Sequence, residues 1–367
     1  MKLILNLFRI IVGVLFIFSG LIKANDPLGL SYKMDEFFEV LHLYWLVPYS
    51  LVFSILMNAF EIIAGVAVLV GYRMRIFSTL LLVLIIFFTF LTGFALFSGL
   101  IKECGCFGDC IKLEAKESFW KDVILTVMIV VIFIYNKQIK PLFSAKISVI
   151  ILALATVFSF GIQWYTLKHL PIVDCLPFKV GNNIPDNMKI PAGAKPDVYK
   201  TVLIYKKDGK EQSFTEDNYP WQDSTWEYVD RKDELVQKGN AIPPIKDFAL
   251  KDFDGGDFTQ AILSEGTTVY LFLVKNVEDA GSGWENKIKS LEKLAAAKGF
   301  YIYGVTSSSK EAVEKFKQER GITFPFMQMD GTTIKTAGRA NPTLMELNKG
   351  TITGKWHYND IPTFSAN

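Results

Sequence analysis

Apolar and charged positions divide the chain near Lys168. Before that point, five segments are long and apolar enough for a bilayer-crossing helix, which takes about 20 residues. They are Leu3–Ile22, Ser50–Val70, Ile76–Phe97, Phe119–Tyr135 and Ile147–Tyr165. The first is long for a cleaved signal peptide, holds Arg9 and lacks a small-x-small site before Lys23, so it reads as a retained helix. Between the first two spans, Tyr32–Leu41 alternates apolar and charged residues at helical spacing, which predicts an amphipathic helix at the interface with Tyr44 and Trp45 at the membrane surface.

Beyond Lys168 the pattern changes to that of a soluble region. Pro171–Pro196 is rich in Pro, Gly and Asn and reads as a linker, and the aromatic-rich stretch from Val198 to Gly239 reads as a small β-rich element. From Ile245 strands and helices alternate. The buried-type strand Thr267–Val274 precedes a helix at Trp284–Lys298, the strand Phe300–Val305, a helix at Lys310–Arg320 and the hairpin Thr343–Leu347 with Thr351–His357. The expected units are 1–145, a transmembrane bundle; 146–168, a fifth transmembrane helix; 169–197, a linker; 198–240, the β-rich element; and 241–367, an α/β domain.

The loops add an orientation. Tyr72–Arg75 and Asn136–Lys146 are short and basic, which places them in the cytoplasm by the positive-inside rule. An odd number of spans then puts the N-terminus inside and the C-terminal domain outside, in the periplasm of a bacterial inner membrane. Cys104, Cys106, Cys110 and Cys175 all fall on that outer side, where disulfides persist. Composition agrees with the lipid bilayer as a partner: 50% of the 367 residues are hydrophobic and the mean hydropathy is +0.27. The net charge of +2 gives no reason to expect a nucleic acid.

The candidate chemistry is the run Cys104-Gly105-Cys106-Phe107-Gly108-Asp109-Cys110. A Cys-x-Cys disulfide closes a tight ring, which favours easy reduction. Three readings remain open for this group. It is a redox-active dithiol that exchanges electrons between an outer thiol protein and membrane quinone, with Cys110 resolving and Cys175 as redox or disulfide partner. Alternatively the cysteines are structural staples, or they form a soft-metal site, although no His lies near them in sequence. Within the spans, Glu61 is a costly intramembrane carboxylate whose expected partner is Lys23 or Arg9. Gly13, Gly20, Gly65 and Gly71 are small residues that would allow helices to approach closely.

Two resemblances follow from these residues. The pattern Phe16-x-x-Ser19-Gly20-x-x-Lys23-x-x-Asp26-Pro27-x-Gly29, with Glu61-x-x-x-Gly65 and Gly71-Tyr72-Arg73, resembles the DoxX family of four-helix membrane proteins. Cys-Gly-Cys-Phe-Gly and Phe119-x-Lys121-Asp122 resemble its MauE branch. That likeness implies redox work at the membrane, with quinone-linked sulfur oxidation or the maturation of a disulfide-rich protein as precedents. The C-terminal region resembles the thioredoxin fold of the TlpA-like group, with Asn341-Pro342-Thr343 where that fold carries a cis-proline bordering its substrate site. The thiols that such domains use are missing: Val277–Trp284 stands in their place, and no Cys follows Cys175. The expected architecture is therefore four DoxX-like helices plus a fifth transmembrane helix, followed by a thioredoxin-like domain without redox cysteines. The expected function is thiol or quinone redox chemistry at Cys104, Cys106 and Cys110, with a client bound along the Pro342 edge. The alternative is a non-enzymatic anchor or assembly factor with structural disulfides.

Overall fold

The apolar runs fold as helices whose small residues face one another. The computed structural model describes residues 2–101, 104–196, 198–237, 239 and 241–364. Position 1, which opens the first expected unit, and positions 197, 240 and 367, which close three of them, lie outside those residues. Helix α1 (Lys2–Asn25) packs along α3 (Ser50–Val70), with the amphipathic α2 (Pro27–Val40) between them in sequence. A side chain at Gly13 would meet Leu69 at 2.4 Å, and one at Gly65 would meet the Gly13 carbonyl at 2.8 Å. Only glycine lets these two backbones come so close, and that approach brings the far ends of both helices into register.

Helix α4 (Met74–Ser98) pairs with α5 (Ala115–Ile134), and α6 (Ala145–Lys168) lies against α3. Four segments are long and apolar enough to cross a membrane: Lys2–Asn25, Tyr44–Val70, Met74–Ser98 and Ala145–Lys168. This is a membrane protein with several apolar helices. Helix α5 differs from the other expected spans because Lys116, Glu117, Lys121 and Asp122 lie in its first two turns. Its remaining turns bury Leu125, Ile129 and Ile132 in the bundle core. Helix α6 is peripheral and is held by polar contacts: Asn58 Nδ2 donates to Gln163 Oε1 at 3.1 Å, and Gln163 Nε2 donates to the Ile55 carbonyl at 3.2 Å. Such side-chain bonds hold helices together where lipid removes the hydrophobic drive between them.

The segment expected as a linker is integrated into the soluble domain. Phe178 and Ile184, the latter opening the short α7 (Ile184–Asn187), sit in the domain core, and Asn183 bridges to Thr351. A separate antiparallel sheet follows, in the order β2-β1-β3, from β1 (Val198–Lys207), β2 (Lys210–Thr215) and β3 (Glu227–Gln237).

The α/β domain then runs through α8 (Thr259–Leu263), β4 (Thr268–Leu273), α9 (Glu285–Lys298), β5 (Tyr301–Thr306), α10 (Lys310–Arg320), β6 (Phe326–Gln328), α11 (Gly331–Ala337), β7 (Thr343–Asn348) and β8 (Thr351–His357). Its sheet has the order β6-β5-β4-β7-β8, with β4, β5 and β6 parallel and the β7–β8 hairpin antiparallel to β4. Val269, Leu271 and Leu273 enter the core on one face while Tyr270, Phe272 and Val274 enter the core on the other. Burial on both faces explains the continuous apolar run of β4. The strand–helix alternation ending in a hairpin, with a cis Asn341–Pro342 bond just before it, is that of a thioredoxin-like domain. The short β6 and α11 are elements the sequence pattern did not separate.

Where the domain meets the end of α6, His357 is buried and accepts the Asn359 backbone N–H at Nδ1, 3.1 Å away. Burial lowers its pKa from 6.5 to about 4, against the pull of Asp360. A depressed histidine pKa means the unfolded chain binds the extra proton. Stability is therefore full above pH 6.5 and is lost as the pH falls from 6.5 towards 4. Thermal unfolding at pH 4.5 should show up to about 3 kcal/mol less stability than at pH 7, and His357→Gln should remove most of that slope. An unchanged slope in the variant would assign the pH dependence to other groups.

Candidate functional site

A cavity of about 450 Å³ opens among α1, α2, α3, α4, α5 and the cysteine loop. Its walls are mostly apolar, with Phe16, Leu30, Phe37, Met57, Phe88 and Leu125 among them. Phe53 of α3 and Phe87 and Phe90 of α4 also line it, and each is exposed on the outer surface of the bundle. An apolar occupant could therefore enter from the side that lipid would cover.

One pole of the cavity is polar. Lys23 and Glu61, on α1 and α3, both line it, and Lys23 Nζ donates to Glu61 Oε1 at 2.5 Å. The sequence left Lys23 and Arg9 as alternative partners for Glu61. The structure selects Lys23, because it lies one turn beyond the Gly20 contact, where the Cβ of an added side chain would be 3.0 Å from the Asn58 carbonyl. Arg9 is near the opposite end of α1, donating to the Lys140 carbonyl at 3.3 Å. Glu61 Oε2 is buried and has no hydrogen-bond partner among the described residues.

Lys121 and Asp122 complete the pole. Lys121 Nζ lies 2.8 Å from Asp122 Oδ1, and Thr92 Oγ1 donates to Asp122 Oδ2 at 3.1 Å. Sequence reading noted Lys121 and Asp122 only as part of a motif. Their charge inside the apolar run Phe119–Tyr135 was the available signal, since such groups face a polar interior.

The cysteine loop closes the cavity, with Cys104, Gly105, Cys106 and Phe107 in its wall. Ser19 Oγ donates to the Cys106 carbonyl at 2.9 Å, and Lys121 Nζ lies 5.0 Å from the centre of the Phe107 ring. Gly105 adopts φ 70°, in the left-handed region, and its Cβ position is 3.1 Å from Lys33 Cγ. Glycine is suited to that turn on both counts. Cys104 and Cys106 are free thiols. Burial pushes the Cys104 thiol up to about 12, and the neighbouring Cys106 and Asp122 push it the same way. Burial also raises Cys106, the more deeply set of the two, while Lys121 and Lys23 pull it back down. Both groups are thus held as neutral thiols, with Asp122 opposing a thiolate at either sulfur and Lys121 favouring one at both.

Cys110 is exposed and bonded to Cys175, with the two Cα atoms 4.8 Å apart. This bond ties the loop before α5 to the segment after α6, across a sequence separation of 65 residues. The cluster is therefore divided into a half-buried free pair and a surface bridge. Pro342, the expected client contact, is buried, and the backbone beside it is engaged within the domain: Gly281 N–H donates to the Asn341 carbonyl at 2.7 Å. Among the described residues, no three His, Cys, Asp or Glu side chains gather as a metal-binding group.

Fold and site together define a membrane helical bundle with a thiol pair at an apolar cavity, joined to a thioredoxin-like domain. The family model described as methylamine utilisation protein MauE matches residues 1–135. A domain of unknown function, DUF8463, matches residues 199–238, the separate three-stranded sheet. Among solved structures, a match is the bacterioferritin comigratory protein of Xanthomonas campestris, described for its alkyl peroxide reduction activity. It is 16% identical, with 31% of this chain and 83% of that chain covered and a TM-score of 0.25. Among curated proteins no relative matches the chain.

Proposed function

We propose that this protein oxidises outer-face dithiols and passes the electrons to a lipid-soluble quinone. The observation that supports this reading is a free thiol pair and an unpartnered carboxylate oxygen, Glu61 Oε2, on the wall of one apolar cavity. The cavity is within the usual range for small-molecule sites, about 300–1,000 Å³. A quinone bound there would supply a two-electron, two-proton acceptor. Glu61 Oε2 is placed to accept a hydrogen bond from the reduced ring's hydroxyl, and the apolar walls suit the tail.

A client thiolate attacks Cys104 Sγ of the Cys104–Cys106 disulfide, and Cys106 leaves as a thiolate facing Lys121. The client's second thiolate then attacks the client sulfur of the mixed disulfide, releases Cys104 and leaves the client with its own disulfide. The reduced pair loses two electrons and two protons to the quinone as the Cys104–Cys106 bond re-forms. Cys110–Cys175 stays closed throughout and holds the loop in place. The outer-face orientation rests on the basic turns at Tyr72–Arg75 and Asn136–Lys146. Kinship with DoxX bundles is supported by the Phe16–Gly29 and Glu61–Gly65 patterns, and kinship with TlpA-like domains by Asn341-Pro342-Thr343 before the hairpin.

The test uses full-length protein in nanodiscs, first reduced at Cys104 and Cys106. Adding decyl-ubiquinone should remove two titratable thiols per quinone reduced, with mass mapping locating the new bond at Cys104–Cys106. In spheroplasts, a membrane-impermeant dithiol should drive the same reaction. Quinone that leaves both thiols titratable would favour the second reading, an assembly factor whose cysteines serve only structure.

A further inference from the structure

The motif Asp26-Pro27-Leu28-Gly29 plays no part in the redox reading, yet the fold gives it a partner. Asp26 caps α2 by accepting the Gly29 N–H at Oδ1, 3.0 Å away, which leaves its Oδ2 pointing elsewhere. That oxygen accepts Arg339 Nε at 2.8 Å, although 313 residues separate the two in sequence. The same guanidinium donates through Nη2 to Asp109, inside the cysteine loop, and through Nη1 to the Lys335 carbonyl at 2.7 Å. It also lies 5.4 Å from the centre of the Tyr32 ring. Gly29 makes room for it, because a Cβ there would be 2.6 Å from Asp26 Oδ2 and 3.2 Å from Arg339 Nη2.

Arg339 is only 5% exposed. Burial opposes its charge, and the two carboxylates outweigh burial and hold its pKa above the ordinary value. Lys335 extends the contact, with Nζ 4.6 Å from the centre of the Tyr32 ring and 3.9 Å from Asp35 Oδ2. A buried guanidinium shared between two separate segments of another unit is a specific anchor, since each donor has a fixed direction.

We propose that Arg339 is a positioning residue for the thiol loop: the face of the thioredoxin-like domain between α11 and β7 is a built-in dock that holds Asp109, and with it Cys104 and Cys106, over the cavity. In this arrangement the domain's partner at that face is the protein's own membrane half, and Asp26, Gly29, Tyr32 and Asp109 form the receptor for a single arginine. The consequence for turnover rests on the redox reading above. Docking itself does not, so it is measured by thiol accessibility rather than by activity.

The full-length protein in nanodiscs, with Cys110–Cys175 verified intact by mass mapping, is labelled with N-ethylmaleimide after selective reduction of the inner pair. Arg339→Ala should speed labelling of Cys104 and Cys106 by about tenfold or more, and Asp109→Asn by about fivefold, because the loop loses a charge-assisted anchor. Arg339→Lys should retain most of the protection, and the swap Arg339→Asp with Asp109→Arg should recover part of it. Protection that is unchanged in both Arg339→Ala and Asp109→Asn would overturn the proposal. So would faster labelling that Arg339→Lys fails to slow, since that would indicate general loosening rather than positioning. Asp109→Asn decides the question if Arg339→Ala does not fold.

Discussion

Cys106→Ala should abolish dithiol-driven quinone reduction, lowering the rate by at least about a hundredfold, because the thiolate is the reacting species in thiol–disulfide exchange and no other group replaces it. The two cysteines are not equivalent. Cys106 is the deeper thiol; burial raises both, Lys121 pulls both down, and Lys23 acts on Cys106 as Lys33 acts on Cys104. Cys104 is the less deeply set sulfur and so the one a client attacks, which makes Cys106 the leaving sulfur. Without Cys106 no inner disulfide can form, so the quinone receives no electron pair and the client is not turned over. Ser19 still holds the loop through the Cys106 backbone carbonyl, and Cys110–Cys175 still closes it, so the variant should fold normally. The measurement is quinone reduction in nanodiscs with a reduced thiol client, alongside the thermal midpoint. A variant rate within threefold of the parent would remove Cys106 from the mechanism.

The second large effect is expected at the buried pair Lys23–Glu61. Both side chains are nearly inaccessible, and their contact is 2.5 Å. Removing one partner strands the other charge in an apolar interior, at a cost of about 3–5 kcal/mol. Lys23→Met and Glu61→Met should each destabilise the bundle by about that amount. Replacing both by Met should cost less than about 1 kcal/mol, because neither charge then has to be buried. The double variant also separates the two roles of Glu61. It should recover stability without recovering quinone reduction, because the free Oε2 acceptor has gone. A denaturation cycle over the four proteins measures the coupling. Single variants within about 1 kcal/mol of the parent would show that the pair is hydrated or neutral.

The elements that were legible in the sequence share one property: their cause is local. Helices α1, α3, α4 and α6 follow from bilayer-length apolar runs, because any spanning segment must satisfy its backbone internally over a fixed thickness. Gly13, Gly20 and Gly65 were recognisable as close-contact positions for the same reason. The cis Asn341–Pro342 bond, just before the hairpin, was expected from the resemblance to the thioredoxin fold, which no pattern in the chain alone would have supplied. Helix α5 was harder, since Lys121 and Asp122 serve the cavity at the expense of a clean apolar signal. The linker expectation for 169–197 was misled by composition. Its core anchors, Phe178 and Ile184, are two isolated apolar positions that show no period among Pro171, Pro177, Gly181, Pro185, Pro191, Gly193 and Pro196.

What the sequence determined by itself was therefore the division into a bundle and a soluble α/β domain, the presence of Cys-x-Cys beside an apolar helix, and the loss of thiols from the thioredoxin-like domain. Tertiary structure alone decided which cysteines are bonded, which cation meets Glu61, and that Arg339 reaches Asp26 and Asp109. The physical reason is range. Hydrophobic periodicity and turn chemistry act over a few residues and leave a readable pattern. A disulfide or a buried ion pair depends on where two distant segments arrive, and no periodicity along the chain encodes that meeting.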